Sequence, residues 1–231
     1  MLIGLAAGSA VMVAVNLLAG FTGGWVGAIR PGLAALVLVV STTSFYYATR
    51  RGKFVIWRDL LDDADLATDA AVIDLGCGRG AVLCAAAQRV PRGRAVGVDL
   101  WRSVDQSGNE PEVATANAAA AGVANRVTLE TADLRELPFD DASFDAAFSS
   151  LAIHNIKDPG GRTTALEEAV RVVRPGGLIV IADIEHAKSY ATHLAAVGCT
   201  EVTQRSAGWR GWFGGPWMIT RVVQARTPSA G

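Results

Sequence analysis

The sequence predicts an α/β fold with a mostly parallel sheet, preceded by two membrane-spanning helices. Three observations lead there. From Ala71 onward, short apolar strand-like runs alternate with stretches of good helix formers, the pattern of βαβ units. The run Val72-Ile73-Asp74-Leu75-Gly76-Cys77-Gly78-Arg79-Gly80 closes a strand with glycines on alternate positions and opens a helix at Ala81. Upstream, the segments Leu2–Gly20 and Gly32–Thr49 contain no charged residue.

A length of 231 residues has room for one well-buried α/β domain and an appendage. A formal net charge of −1 implies no broad nucleic-acid-binding surface, and none is expected. Hydrophobic content is 51%, high for a soluble domain, with the excess at the N-terminus. Cys77, Cys84 and Cys199 are scattered without paired ligand spacing, so no metal site is expected. They read as small buried hydrophobes in a reducing compartment.

Taken in order, the two charge-free segments are each about the length needed to cross a hydrocarbon core as a helix. A glycine-rich turn with Trp25 separates them, and Gly4, Ala7, Gly8, Ala34 and Ala35 would allow close helix–helix approach. No basic region precedes Leu2, which argues against a cleaved signal peptide; a buried soluble hairpin is the other alternative. Tyr46 and Tyr47, then Arg50, Arg51, Lys53 and Arg58, mark the cytoplasmic end by the aromatic-belt and positive-inside rules. The expectation is therefore a two-pass protein of the cell (inner) membrane. A hairpin would occupy residues 1–49, an interfacial or lid helix 50–68, and a cytoplasmic domain 69–231. In the lid helix Phe54, Trp57, Leu60 and Leu61 share one face, with Asp59, Asp62 and Asp63 on the other. That helix either packs on the sheet or lies on the membrane with Phe54 and Trp57 facing lipid or substrate.

Strands are predicted at Val72–Leu75, Ala95–Val98, Val127–Glu130, Phe144–Ser149, Leu178–Ala182, Thr200–Gln204 and Met218–Ala225. Helices are predicted at Ala81–Arg89, Glu112–Ala121, Thr163–Val173 and Ala187–Ala196. The last two strands have no helix between them, which suggests an antiparallel pair at the sheet edge.

The glycine turn by itself also fits a dinucleotide-binding dehydrogenase. Asp99 ends the second strand roughly twenty residues further on, where a carboxylate can accept ribose hydroxyls. Asp133 follows the third strand, placed to accept from an adenine amino group, or else to cap a turn. Ser149 and His154 lie at and just after the end of the fourth strand. Arg171–Leu178 ends a helix and turns tightly into the fifth.

The stretches VIDLGCGRG, GVD, TADLRELPFDDASFDAAFSS, AIHNI and RVVRPGGLIVIADI, in that order and spacing, resemble the class I S-adenosylmethionine-dependent methyltransferases, in the branch of the quinone C-methyltransferases. The resemblance covers about residues 70–225 and does not include the hairpin. It implies a doubly wound, seven-stranded, Rossmann-like sheet whose last strand is antiparallel, with S-adenosyl-L-methionine as cofactor. Gly76, Cys77 and Gly78 would pass under the methionine moiety and Asp74 would help hold its amino group, or only brace the turn. Asp99 would bind the ribose and Asp133 the adenine, Leu100 and Leu134 would be further cofactor contacts, and Ser149 would lie near the reactive methyl.

Methyl transfer from a sulfonium requires mainly in-line positioning. Where the acceptor must lose a proton, His154 is the leading candidate base and His186 the second; either could instead order a loop or line the pocket. Trp101 could cover the adenine face or simply pack. The segment Gly208–Trp217, including Trp212, is either a packed turn or a surface facing the bilayer or an apolar acceptor. Phe54, Trp57 and Trp212 are the expected acceptor contacts. The expected function is methylation of a lipophilic small molecule at the membrane, with a soluble acceptor or a non-catalytic adaptor as alternatives.

Overall fold

The structure is a computed structural model and describes residues 32–102 and 108–229. The first predicted membrane segment, Leu2–Gly20, its following turn with Trp25, and residues 103–107 lie outside the described residues. The chain forms two compact units, one of residues 1–55 with 207–219, the other of residues 56–206 with 220–231.

Helix α1 is Gly32–Asp63, and the boundary between the units falls within it. Among the described residues it is the one helix long and apolar enough to cross a membrane. It runs on through Thr49, where two separate helices were expected, by taking up a π-helical stretch at Ala48–Gly52. Such a bulge keeps the helix continuous while shifting its register. In the first unit, segment Ala207–Ile219 packs on α1. The rings of Phe45 and Phe213 meet edge-on at 5.9 Å, and Tyr47 stacks on Trp209 at 5.0 Å. A Cβ on Gly52 would stand 2.0 Å from the Arg210 carbonyl oxygen, so glycine is what permits the approach.

The second unit is built on a seven-stranded sheet of β1 Ala71–Leu75, β2 Arg94–Asp99, β3 Val127–Thr131, β4 Phe144–Ser150, β5 Val173–Asp183, β6 Thr200–Ser206 and β7 Arg221–Arg226. Its order is β3-β2-β1-β4-β5-β7-β6. The first five strands pair in parallel; β7 is antiparallel to both β5 and β6. Polar, exposed β6 takes the edge, and apolar β7 lies inside, as the cost of an unpaired sticky edge dictates. The chain order reverses between β1 and β4, the switch point at which open α/β sheets bind ligands.

Helices α2 Ala81–Arg89, α3 Pro111–Ala120, α4 Pro159–Val172 and α5 Ala187–Ala196 connect the strands. Helix α4 starts four residues before the expected Thr163. Asp158 caps it by accepting from the Gly161 N–H at 2.7 Å, and Pro159 needs no donor in the first turn. The tight turn expected before the fifth strand is instead a bulge inside it: Phe144 pairs with Val173, and Ala146 already with Leu178.

Trp57 is corrected by the fold. It is 3% exposed, its indole N–H donates to Ser150 Oγ at 2.8 Å, and its ring meets Phe148 edge-on. With Leu60 and Leu61 it belongs to the core of the second unit and does not face lipid. Helical spacing placed these three on one face, and that face packs on protein.

Candidate active site

The glycine turn is held by the ends of β1 and β2. The Gly76 and Cys77 N–H groups both donate to the Val98 carbonyl, at 2.8 and 3.0 Å. The Gly78 N–H donates to Asp99 Oδ2 at 2.9 Å, and Gly80 is the N-cap residue of α2. Gly76, Gly78 and Gly80 have φ of 75°, 50° and 79°, the left-handed region that side chains with a Cβ avoid. A Cβ on Gly76 would also stand 2.2 Å from the Cβ of Ala152, so the segment after β4 lies against the turn. Gly76→Ala is accordingly expected to lose about 1–2 kcal/mol from backbone strain and about 1–3 kcal/mol from overpacking. Chemical denaturation of the variant and the wild type measures it. At Gly97 a Cβ would meet Leu83 and the Cys77 sulfur, so this glycine lets α2 close on the sheet.

Asp74, on β1, is 2% exposed, and neither carboxylate oxygen has a hydrogen-bond partner. Burial pushes its pKa up to about 7, with the Leu83 backbone N–H at the start of the following helix pulling the other way. An unpaired buried carboxylate is a site waiting for a cation. An α-ammonium group carried by a ligand lying along the turn would satisfy it.

Asp99 ends β2 with its oxygens tied into the site walls: Oδ2 to Gly78, Oδ1 to the Trp101 N–H at 2.7 Å and Asn109 at 3.1 Å. Oδ2 retains capacity to accept from a ligand hydroxyl. Leu100 beside it is 39% exposed. The Trp101 indole N–H donates to Thr131 Oγ1 at 2.8 Å, pinning the ring across the ends of β2 and β3. Asp133 does cap a turn, accepting from the Arg135 N–H at 2.9 Å, and it also pairs with the Arg135 guanidinium. That guanidinium holds its carboxyl below the ordinary range. Leu134 is half-buried, 4.0 Å from where a Gly76 Cβ would lie.

Ser149 is corrected. It is fully buried and donates to the Leu75 carbonyl at 2.9 Å, clamping β4 to β1, so its hydroxyl does not face a ligand. Ser150 carries the half-buried hydroxyl, held by Trp57.

His154 sits on a 3₁₀ turn after β4 with its Nδ1 2.6 Å from Asp183 Oδ1, and its backbone N–H donates to Oδ2 at 3.2 Å. Asp183 ends β5, is 1% exposed, and also accepts from the Ile184 N–H and, at 3.4 Å, from Tyr190. Burial raises the Tyr190 pKa and the Asp183 charge adds to it, so the phenol stays protonated and donates. Asp183 and Tyr190 were missed as site residues. The available signal was position, since Asp183 stands at the C-terminal end of a parallel strand, where such sheets keep their polar groups. His186 has φ 58° at the start of α5, with Nε2 3.6 Å from Glu185. The buried carboxylate is paired with His154. Phe54 and Trp212 belong to the first unit.

Residues 73–181 match the methyltransferase domain family. The chain is 31% identical over 115 residues to the ubiquinone/menaquinone biosynthesis C-methyltransferase UbiE of Geotalea daltonii, covering 50% of this chain and 46% of that protein. It is 35% identical over 114 residues to 27-O-demethylrifamycin SV methyltransferase of Amycolatopsis mediterranei, covering 48% and 38%. The chain thus spans about half or less of the length of the curated relatives it matches. Two solved structures share the fold. Geranyl diphosphate C-methyltransferase from Streptomyces coelicolor A3(2), in complex with geranyl diphosphate, Mg2+ and S-adenosyl-L-homocysteine, has a TM-score of 0.58 at 15% identity over 74% of this chain and 78% of that one. The cyclase SpnF has 0.60 at 19% identity, over 75% and 81%.

Proposed function

We propose that this chain, which carries an S-adenosylmethionine-dependent methyltransferase domain at residues 73–181, methylates a lipophilic small molecule at a membrane surface. The observation that supports the reading most directly is Asp74: a buried, unpartnered carboxylate beside a glycine turn fits the ammonium end of that cofactor. When bound, the cofactor supplies a methyl group already activated on a sulfonium.

The chain's own residues then have separate tasks. Asp74 takes the ammonium, and the Gly76–Gly78 backbone allows the methionine portion to lie close. Asp99 accepts from the ribose hydroxyls, and Asp133 from the adenine amino group next to the pinned Trp101. His154 acts as general base. With Nδ1 turned to Asp183 at 2.6 Å, the carboxylate holds the hydrogen on that nitrogen, so Nε2 is the basic nitrogen of this tautomer.

The lipophilic acceptor and the membrane rest on different support. One relative is named for quinone biosynthesis, and a structural neighbour was solved with a terpenoid diphosphate. Helix α1 leaves its most apolar stretch only 11% buried, and Arg50, Arg51 and Lys53 follow it, the order of an inner-membrane anchor with the domain on the cytoplasmic side.

Calorimetry tests the cofactor reading first. S-adenosylhomocysteine should bind at micromolar affinity and raise thermal stability by mass action. Asp99→Ala should weaken binding by about 1.5–3 kcal/mol, the usual worth of hydrogen bonds to a charged group. A preference for NADH over S-adenosylmethionine would overturn the assignment.

A further inference from the structure

We propose that segment Ala207–Ile219 is a second membrane-contacting element, seating Trp209, Trp217 and Met218 in the interfacial zone of an anionic bilayer while docked on α1. The inference rests on the membrane reading of α1. It deepens that reading by assigning this surface to lipid.

Exposure is the first observation. Large hydrophobic side chains stand exposed at Leu33, Leu36, Val37, Val39, Tyr46 and Phe54 on α1, and at Trp209, Trp217 and Met218 on the segment. All belong to the first unit; among the described residues of the second, Leu100 is the one such residue. Trp209 and Trp217 are 58% and 59% exposed, an apolar area that water tolerates poorly. The placement of the Trp217 ring is also built in. Gly215, at φ 133°, has no Cβ to meet the Trp217 ring, which would otherwise lie 2.6 Å away. The segment is closed by the Phe213 N–H donating to the Met218 carbonyl at 2.8 Å and by a bridge between Trp212 and Ile219.

Depth is the second observation. The segment's rings meet α1 at Phe45 and Tyr47, beyond the exposed Leu33–Val39 stretch and about one turn before Arg50 and Arg51. That is the level at which Trp and Tyr concentrate in membrane proteins, between acyl chains and headgroups. Cations accompany the rings: the Arg210 guanidinium lies 5.8 Å from the Trp209 ring centroid and that of Arg50 5.7 Å from Tyr46. Aromatic rings beside cations, with an apolar helix stretch on one side and Arg51 and Lys53 on the other, complement an anionic lipid interface.

The full chain in phosphatidylcholine–phosphatidylglycerol vesicles tests this, using lipids brominated either near the headgroup or deep in the acyl chain. Shallow bromines should quench wild-type tryptophan emission more than deep ones, and the double variant Trp209→Phe/Trp217→Phe should lose most of that shallow quenching. Gly52→Val, whose side chain would strike the Arg210 carbonyl, should lose it too with both indoles present. If the chain floats with vesicles but the double variant is quenched as strongly as the wild type, the segment does not touch lipid and the inference falls, while the anchor stands. If the full chain does not float with vesicles at all, the anchor reading falls and this one with it.

Discussion

Asp74→Asn should stabilise the cofactor-free protein at neutral pH while removing its ability to bind the cofactor. The folded-state pKa of Asp74 is raised from the ordinary 3.8 to about 7, chiefly by burial. A raised pKa means the folded state holds a proton that the unfolded chain releases. Its stabilising effect is complete below the ordinary carboxylate value and is lost as pH rises through about 7. The window spans roughly three pH units at about 1.4 kcal/mol each, so the wild type forgoes on the order of 4 kcal/mol by pH 8. Asparagine cannot ionise. The variant should match the wild type near pH 4 and exceed it at pH 8, as denaturation at the two pH values will show. Ligand binding has the opposite sign. Pairing with an ammonium needs the carboxylate ionised, so S-adenosylhomocysteine affinity should rise by up to about tenfold per pH unit below pH 7 and then level off. The variant should show no such rise and little binding. Equal affinity in variant and wild type would remove Asp74 from the cofactor site.

His154→Ala should lower the methyl-transfer rate by roughly 10²–10⁴-fold if the imidazole is the base. The assay is labelled-methyl transfer to a panel of quinol, sterol and terpenoid acceptors held in liposomes. Asp183→Asn should reproduce much of the loss, because an amide can no longer hold Nδ1–H in place by charge and Nε2 loses its role as acceptor. Both variants should bind S-adenosylhomocysteine as the wild type does, since neither carboxylate nor imidazole is needed for the ammonium, ribose or adenine contacts. Full turnover by His154→Ala would show that the pair orders the loop after β4 and does no chemistry. A loss of cofactor affinity would point the same way.

The strands and helices of the second unit were legible because burial there follows simple periodicities. Val72, Ile73 and Leu75 with the alternate glycines read as strand and turn, and the structure places them so. The start of α4 was not legible. Pro159-Gly160-Gly161 has the composition of a loop, and only the Asp158 cap, a three-dimensional hydrogen bond, makes it helical. The bulge in β5 was hidden for a related reason: Arg174-Pro175-Gly176-Gly177 reads as a turn, yet Val173 before it still pairs with Phe144. Trp57 and Ser149 show the limit for side chains. Spacing put Trp57 on an apolar face and Ser149 at a strand end, but the partner of that face and the direction of that hydroxyl depend on distant Phe148 and Leu75.

By itself the sequence determined the α/β plan, the glycine turn and the carboxylates Asp74, Asp99 and Asp133, because each follows from local pattern and from strand ends in a parallel sheet. Only the tertiary structure decided what those groups meet. It left Asp74 buried without a partner, brought Asp183 to His154 across 29 residues, and laid the 207–219 segment on α1 at Gly52. The physical reason is common to all three. Burial, ion pairing and close backbone approach are properties of neighbours in space, and no residue carries its spatial neighbours in its own local pattern.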